Sequence, residues 1–463
     1  MKNLFLIFIF VFIVSSSIAY AAPSEPTNAE LLKEIRGLKA KINQLEDKVK
    51  KLEKKDSRIP TEKEIEKQVE THVERHVEKH MLGKIEEDIE KKKGLDLHGL
   101  KIGIGATMIL QNAIDPNYTT ENKKDTTDSG YHTVMELERQ LGKNGYGYVE
   151  FEMGDGVGAM DKLEVFSNVD NNNCDTDNRV EITKAWYEHK FFDKQLAIAF
   201  GKWDPTDVAD ENNYAGDDTI QFFAEMFNNS PTFDRPDKAP GFWARIRPNN
   251  MPWFEAQAQL ITGDGSWQDV DDHLQVIPEI TIKPTFGEDL EGNYRFYGWY
   301  RNTDYIKWSN PSDTTEYRYG FGLSADQQIT ETIGIFGRYS WEDPNVYDPD
   351  VTASSGATFS LEQNWSAGLN LLGGLWGRKK DNIGMAIGMI MPSDKYKEYG
   401  GTNLKADDEG HAEVYYSWCV NDYLKITPDV QFIWNPFGND YIVNGERRDG
   451  SITVVSCRAH FDF

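Results

Sequence analysis

Apolar and polar side chains alternate with a period of two in many short stretches of this chain, from residue 97 to the last residue. In WFEAQAQLIT (253–262), apolar residues occupy the even positions from 254 to 260, and Glu255, Gln257 and Gln259 lie between them. Such alternation predicts a β-strand with one apolar and one polar face. About sixteen such stretches are visible, near 97–111, 130–141, 145–155, 178–190, 195–203, 240–248, 253–262, 277–284, 292–303, 315–325, 331–342, 359–372, 382–391, 409–419, 422–434 and 450–463.

The connections between these stretches alternate between short and long. Those at 143–144, 191–194, 248–251 and 420–421 are tight, whereas the long ones are acidic and rich in Gly, Asn and Asp. Short turns at one end and long loops at the other are typical of outer-membrane barrels, and nothing in a soluble β-sandwich requires them. We therefore expect an all-β transmembrane barrel of about 16 antiparallel strands, closed by a last strand that alternates as far as Phe463. The long connections lie at 112–129, 156–177, 204–239, 343–358 and 392–408.

The first residues predict export from the cytoplasm. Lys2, an apolar run over 4–14 and small residues around Ala21 and Ala22 form a signal-peptide pattern over 1–22. The run is too short to span a membrane as a helix, and no other apolar run in the sequence is long enough to do so. The mean hydropathy of −0.61 excludes a helical membrane protein but permits a barrel, because alternating strands average to a polar composition.

Residues 23–94 read as an α-helical coiled-coil stalk, followed by the barrel at 95–463. Seven apolar residues hold heptad core positions without a break, and Pro60 interrupts the pattern before Thr61 and Glu64 restart a helix with a capping box. We expect the stalk to lie in the periplasm and to make the chain a homo-oligomer, dimeric or trimeric; peptidoglycan is a candidate partner. The core residues are Leu31, Leu38, Leu45 and Leu52 at one position and Ile35, Ile42 and Val49 at the other.

Metal, cofactor and nucleic-acid sites are not predicted. His72, His76 and His80 have a spacing suitable for a metal, but a solvated helix face is the favoured reading, because no cysteine or fourth ligand accompanies them. The segment VDNNNCDTDN (169–178) offers oxygen ligands for calcium, yet its irregular spacing favours a solvated acidic loop. The net charge of −26 argues against nucleic acid as a partner, since phosphate binding needs a basic face.

The sequence also predicts no enzyme. Neither a pair of catalytic carboxylates, nor a Ser/His/Asp arrangement, nor a glycine-rich phosphate loop in a strand–helix context is recognisable. Cys174, Cys419 and Cys457 do not form a disulfide framework, and we expect three free thiols.

Five stretches of the barrel resemble the carbohydrate-selective porins of the OprB type. They are FGKWDPTDVADENNYAGDDTIQFFAEMFNNSP (200–231), GNYRFYGWY (292–300), GFGLSADQQITETIGIFGRYSW (320–341), GRKKDNIGMAIG (377–388) and YLKITPDVQFIWNP (423–436). The likeness covers roughly 95–463 and not the stalk, which is more reminiscent of cyanobacterial members that carry a periplasmic anchor and pass small and inorganic solutes.

The resemblance implies a porin in the outer membrane of a Gram-negative bacterium. Such a porin is surrounded by outer-membrane lipid and allows passive diffusion of small hydrophilic solutes, with carbohydrates as the expected class. Two alternatives remain open: a general or cation-preferring porin, favoured by the acidic loops, and a tether that joins the outer membrane to the cell wall through the stalk.

Strand parity predicts which side chains face the lumen. Arginines beside Tyr297 and Trp299 would suit sugars, which offer hydroxyls for charged hydrogen bonds and apolar ring faces for stacking. The alternative is that such residues line any porin, whatever it carries. The predicted pore-lining set is Lys101, Glu150, Glu152, Glu255, Gln257, Arg295, Tyr297, Trp299, Arg301, Arg318, Arg338 and Lys425.

The longest connection, 204–239, is the candidate constriction loop. Its segment TIQFFAEMF (219–227) reads as an amphipathic helical piece, and Phe222, Phe223, Met226 and Phe227 need an apolar surface. The lumen wall offers one, so we expect the loop to fold inward; the alternative is a loop lying across the barrel mouth. Its acidic residues would then face wall arginines and create a transverse field: Asp204, Asp207, Asp210, Glu211, Asp217 and Asp218.

Overall fold

Strands in which polar and apolar side chains alternate pair in chain order to form an antiparallel barrel. The computed structural model describes residues 95–463 except 119–124, 173, 269, 272, 288–289, 316, 355, 400–405, 440–441, 444–445 and 448–449. The predicted signal peptide (1–22) and stalk (23–94) lie outside the described residues. Within the described part, sixteen strands make the barrel, as the alternation predicted.

The strands are numbered in chain order. They are β1 Leu100–Ile114, β2 Asp125–Leu141, β3 Gly145–Asp155, β4 Glu181–Phe191, β5 Leu196–Trp203, β6 Ala239–Ile246, β7 Phe254–Thr262, β8 Leu274–Ile282, β9 Leu290–Arg301, β10 Arg318–Thr330, β11 Ile333–Glu342, β12 Leu361–Leu372, β13 Asn382–Pro392, β14 Glu409–Asn421, β15 Leu424–Trp434 and β16 Ser451–Asp462.

The barrel closes between its first and last strands. β1 pairs antiparallel with β2 on one side and with β16 on the other, in a register that runs from Gly105 opposite Asp462 to Ile114 opposite Thr453. Beyond the last pair, the Phe463 amide donates to the Ile104 carbonyl at 2.9 Å. The prediction that the final strand completes the barrel is therefore confirmed.

The two faces of the wall differ as the alternation requires. Large apolar side chains such as Phe200, Phe242 and Phe296 remain more than half exposed on the outer face, where a bilayer would cover them. The alternate positions, among them Gln257 and Arg295, are buried inside the barrel. No helix in the described residues has the length and apolar character needed to cross a membrane.

The connections alternate in length around the barrel. Those at 142–144, 192–195, 247–253, 283–289, 331–332, 373–381 and 422–423 are short, and those at 115–124, 156–180, 204–238, 263–273, 302–317, 343–360, 393–408 and 435–450 are longer. The longer ones include two short helices, α1 Glu225–Asn228 and α2 Asp394–Tyr399. Other short elements are the strands Leu95–Leu97, Thr285–Phe286, Tyr305–Lys307, Asn310–Thr315, Val346–Tyr347, Ile442–Val443 and Glu446–Arg447, and the 3₁₀ turns Met160–Lys162, Pro205–Asp207, Gly373–Trp376 and Pro436–Asn439.

The hydrophobic core lies inside the barrel, between the longer connections and the inner wall. Its largest cluster joins Phe222, Met226 and Phe227 of the connection 204–238 to Phe336 on β11 and Tyr415 on β14. Inward loops thus convert part of a hollow barrel into a packed interior, and the remaining space is the candidate site.

Candidate functional site

The connection 204–238, called the inner loop below, is packed against the inner wall by its apolar segment. Phe222, Phe223, Met226 and Phe227 are fully buried. The Phe222 ring lies 5.5 Å from that of Phe336 and 4.9 Å from that of Tyr415, centroid to centroid. The apolar surface that the sequence demanded is thus supplied by inward-facing side chains of β11 and β14.

Two wall arginines bind the backbone of the inner loop. Arg338 on β11 donates to the carbonyl oxygens of Phe227 at 2.6 Å and Asp210 at 3.0 Å, and its Nε lies 3.2 Å from an Asp210 carboxylate oxygen. Arg458 on β16 donates to the carbonyls of Asp218 at 2.7 Å and Gln221 at 2.6 Å. These charge-assisted contacts fix the loop at two separated points of the wall.

A wall carboxylate provides a third anchor and limits the helix. Glu413 on β14 accepts from the amide groups of Phe223 at 2.6 Å and Ala224 at 2.9 Å. Those amides point to the wall, and Ala224 is extended with φ −63° and ψ 132°. The helical piece expected over 219–227 is therefore wrong for its first half, and the helix is confined to Glu225–Asn228.

A second connection, 156–180, also enters the barrel. Gln111 and Gln431 on the wall both donate to the Val169 carbonyl, at 3.3 and 2.9 Å, and the Asn171 amide donates to the Phe223 carbonyl at 2.7 Å. Val169 and Asp170 are at most 2% exposed. The interpretation of 169–178 as a solvated acidic loop is therefore wrong for 169–172, which pack against the wall and the inner loop, whereas Asp175, Asp177 and Asn178 are exposed as predicted.

A polar cavity of about 1330 Å³ remains between the two loops and the wall. All six acidic residues predicted for the inner loop line it, together with Glu150 and Glu152 of the predicted wall set. The basic side chains that line it are fewer, so the cavity presents a negative field to a solute. Its carboxylates are Glu136, Glu150, Glu152, Asp175, Glu181, Asp204, Asp207, Asp210, Glu211, Asp217, Asp218, Glu225, Asp237 and Asp462, and its bases Lys184, Lys202, Arg235, Lys238, His132 and His460.

The acids of the inner loop make varied contacts. Asp210 pairs with Arg338, as expected of an acid facing a wall arginine, but Asp207 pairs with Lys184 at 2.9 Å. Asp218 accepts from the side-chain amides of Asn171 and Asn172 at 2.9 and 3.1 Å. Asp204 and Asp217 accept from the amides of Thr206 at 2.8 Å and Thr219 at 2.9 Å. Direct pairing with arginine is thus shown here for Asp210, whereas Asp204, Asp217 and Asp218 serve loop geometry and Asp207 meets a lysine. Glu211 makes no such direct pair in the described residues, and the charges of Arg295 and Arg245 act on it from the wall.

Other members of the predicted wall set lie beneath the inner loop. Tyr297 is fully buried, with its ring centroid 5.0 Å from that of Phe233, and Trp299 is 3% exposed. Neither lines the cavity, so a solute there would not stack on them in this arrangement. Strand parity indicates which way a side chain points, but it does not indicate what covers it.

Most of the remaining predicted wall residues have partners of their own. Arg295 pairs with Asp326 at 2.7 Å, Arg318 with Glu342 at 2.7 Å, and Arg301 with Asp234 of the inner loop. That last pairing lowers the pKa of Asp234 although burial alone would raise it. Glu255 binds Lys283 at 2.6 Å and also Arg247, Gln257 donates to Glu279 at 2.8 Å, and Lys101 and Lys425 are partly exposed near strand ends.

Three residues that organise the loops were missing from the predicted set. Glu413, Arg458 and Asp234 each contact loop or wall groups inside the barrel. Glu413 and Arg458 occupy polar positions of alternating strands, so the parity that identified Arg338 could have identified them. Asp234 lies in a connection without periodicity and gave no such signal.

Comparisons with known proteins agree with this architecture. The family described as carbohydrate-selective porin, OprB family, matches residues 130–463. Porin B of Pseudomonas aeruginosa is 25% identical over 308 residues, which are 57% of this chain and 65% of that protein, so the match covers slightly less than two thirds of that relative. OprB of Pseudomonas putida, in its high-pH structure, superimposes with a TM-score of 0.62 at 17% identity, covering 82% of this chain and 96% of that one.

Proposed function

Because the chain belongs to the OprB family of carbohydrate-selective porins, we propose that it is an outer-membrane channel for passive diffusion of small hydrophilic solutes, with carbohydrates as the leading class. The family and the barrel fold are those of a channel and not of an enzyme. The observation that supports the proposal most is the inner loop, which narrows a closed barrel to a polar cavity of about 1330 Å³. A cavity of that size is sufficient for a small sugar and its water.

In this proposal the inner loop is the constriction. Solutes pass between its acidic edge and the facing wall, where Glu150, Glu152, Lys184 and Lys202 supply hydrogen-bonding groups. The buried Tyr297 and Trp299 act indirectly, because they support the apolar side of the loop near Phe233. Solutes are then selected by the width and charge of the constriction rather than by stacking on aromatic side chains.

The test is single-channel conductance of the purified protein in planar bilayers, with glucose- and maltose-type sugars titrated in. A block that saturates at millimolar sugar would indicate a binding site in the lumen. A conductance that does not change when sugar is added would support a channel but contradict its selection of carbohydrates. Absence of any channel would reject the proposal as a whole.

The acidic cavity favours a second candidate, a cation-preferring general porin. Among the residues that the structure describes, fourteen carboxylates and four lysine or arginine side chains line the cavity. Fixed charge of one sign in a narrow pore raises the local concentration of counter-ions, and salt weakens this effect. The reversal potential under a salt gradient measures the preference, and a potential near zero at low salt would exclude this candidate.

The N-terminal segments complete the proposal. We infer that residues 1–22 direct export and that 23–94 form a periplasmic coiled-coil stalk, which assembles the chain into a homo-oligomer and could contact peptidoglycan. Support comes from the unbroken heptads from Leu31 to Leu52. Cross-linking of the full chain, compared with a chain lacking 24–93, tests the assembly.

A further inference from the structure

A histidine, a glutamate and a cysteine meet on the wall of the lumen cavity. His132 lies on β2, Glu152 on β3 and Cys174 in the connection 156–180, and one potential ligand atom from each lies within 4.8 Å of the others. All three side chains line the cavity, so an ion diffusing through the lumen can reach them.

The fold brings these residues together through β-pairing and one close backbone approach. His132 is opposite Gly154, and Val134 is opposite Glu152, so the histidine and the glutamate are diagonal neighbours on the inward face. The amides of Thr176 and Asn178 donate to the Gly154 carbonyl at 3.2 and 3.1 Å. A Cβ atom at Gly154 would lie 2.1 Å from the Cys174 carbonyl oxygen, so only glycine allows the cysteine segment to come this close.

A ring nitrogen of His132 lies close to the other two side chains of this group. His132 Nε2 is buried and finds no hydrogen-bond partner among the described residues. It lies 3.9 Å from a Glu152 oxygen, which is too long for a hydrogen bond, and Cys174 Sγ lies 4.0 Å from the same oxygen. Because a buried imidazole nitrogen without a partner is costly, its position beside a thiol and a carboxylate suits it to bind a further group together with them.

We propose that His132, Glu152 and Cys174 bind a divalent transition-metal ion of the zinc type. Imidazole, thiolate and carboxylate are the ligands of zinc and its neighbours, whereas calcium and magnesium prefer oxygen alone. In a tetrahedral zinc site the ligand atoms lie about 3.5 Å apart. Rotation of the three side chains, with displacements of about 1 Å at the ligand atoms, would bring them to that spacing. The fourth position faces the cavity and can take water.

Lys238 is the group that opposes such an ion. Its ammonium lies 3.0 Å from Glu152 and must swing into the cavity when the metal binds, because two cations cannot share that carboxylate closely. The acidic lining of the cavity, including Glu150 and Asp218, offers the displaced ammonium other partners. A bound dication would also offset part of the negative field, so it is expected to reduce any cation preference of the channel.

The test is a Cd²⁺ titration of the full-length protein, read by the ultraviolet charge-transfer absorption of a cadmium–thiolate bond. The histidines at 72, 76 and 80 cannot give this band, because residues 23–94 contain no cysteine. Cys174→Ser should abolish the band, whereas Cys419→Ser, the matched control on β14, should keep it. His132→Ala and His132→Gln should each weaken Cd²⁺ affinity by about a factor of 10 or more.

The proposal is overturned if the band persists in Cys174→Ser, if both His132 variants bind as tightly as the parent, or if millimolar Cd²⁺ gives no band. Far-UV circular dichroism confirms that each variant keeps its barrel. The absorption reads metal binding directly, so a negative result would leave the channel proposal untouched. Added Zn²⁺ should shift the reversal potential toward zero in the parent and not in Cys174→Ser.

Discussion

Arg338 shows how one wall residue can determine the width of the lumen. Its side chain is fully buried, and it holds both the Asp210 carboxylate and two carbonyl groups of the inner loop. Removing one partner of a buried ion pair leaves the other uncompensated, at a cost of about 3–5 kcal/mol. The packed position of the inner loop, rather than the barrel, should be destabilised by this amount, because the hydrogen bonds of β11 to its neighbouring strands are unchanged.

Arg338→Ala is therefore expected to release the inner loop and to raise the single-channel conductance, with more frequent current fluctuations. Arg378→Ala is the matched control, since Arg378 pairs with Asp381 in a short connection and its side chain is 47% exposed. An Arg338→Ala channel with the conductance and noise of the parent would show that Arg338 does not hold the loop.

Asp170 makes the packing of the connection 156–180 sensitive to pH. Burial raises its pKa to about 7, although the nearby Arg458 acts in the opposite direction. A carboxyl whose pKa rises on folding binds more protons in the folded state, so its contribution favours folding less as pH increases from about 4 to about 7.

Asp170→Asn should remove this dependence. We expect the variant to gain thermal stability relative to the parent at pH 8 and to differ little from it near pH 4, because asparagine imitates the neutral acid. Melting temperatures of the two proteins across this range measure the difference. A stability difference that does not change with pH would contradict the assignment.

At the scale of elements, sequence periodicity was sufficient for strands and insufficient for loops. The strand predicted at 382–391 corresponds to Asn382–Pro392, since alternation is a local property and pairing with neighbours preserves it. The segment 219–227 has helical spacing, yet Glu413, distant in sequence, binds the amides of Phe223 and Ala224, and the helix begins only at Glu225. Likewise, the sequence of 169–178 suggested a solvated loop, because the residues that pack against its first part, such as Gln111 and Gln431, are distant in sequence.

The inner loop as an element should account for solute discrimination. Replacing 217–229 with a Gly/Ser linker of equal length removes the buried Phe222 cluster and should widen the pore, raising the conductance and weakening sugar-dependent block. The matched control replaces 264–268, a largely solvent-facing part of another connection, with a linker of the same composition. If both chimaeras discriminate between solutes as the parent does, the constriction lies elsewhere.

At the scale of the whole molecule, we expect the channel and the predicted stalk to make separable contributions. A chain lacking 24–93 retains every strand of the barrel, so its single-channel conductance should equal that of the parent. Loss of envelope integrity with unchanged conductance would favour the tether reading, whereas a change confined to the oligomeric state would favour assembly by the heptads. Bilayer recordings and detergent sensitivity of cells measure the two effects.

The seam between β1 and β16 has a consequence for biogenesis. The described barrel has no free sheet edge, but this is true only once the last strand has paired with the first. Until then both terminal strands expose unsatisfied backbone groups, and the contact that joins them is among the most distant in sequence, which makes closure slow. Before this pairing the sheet is thus an open ribbon, and each of its two edges can pair with a strand of another chain.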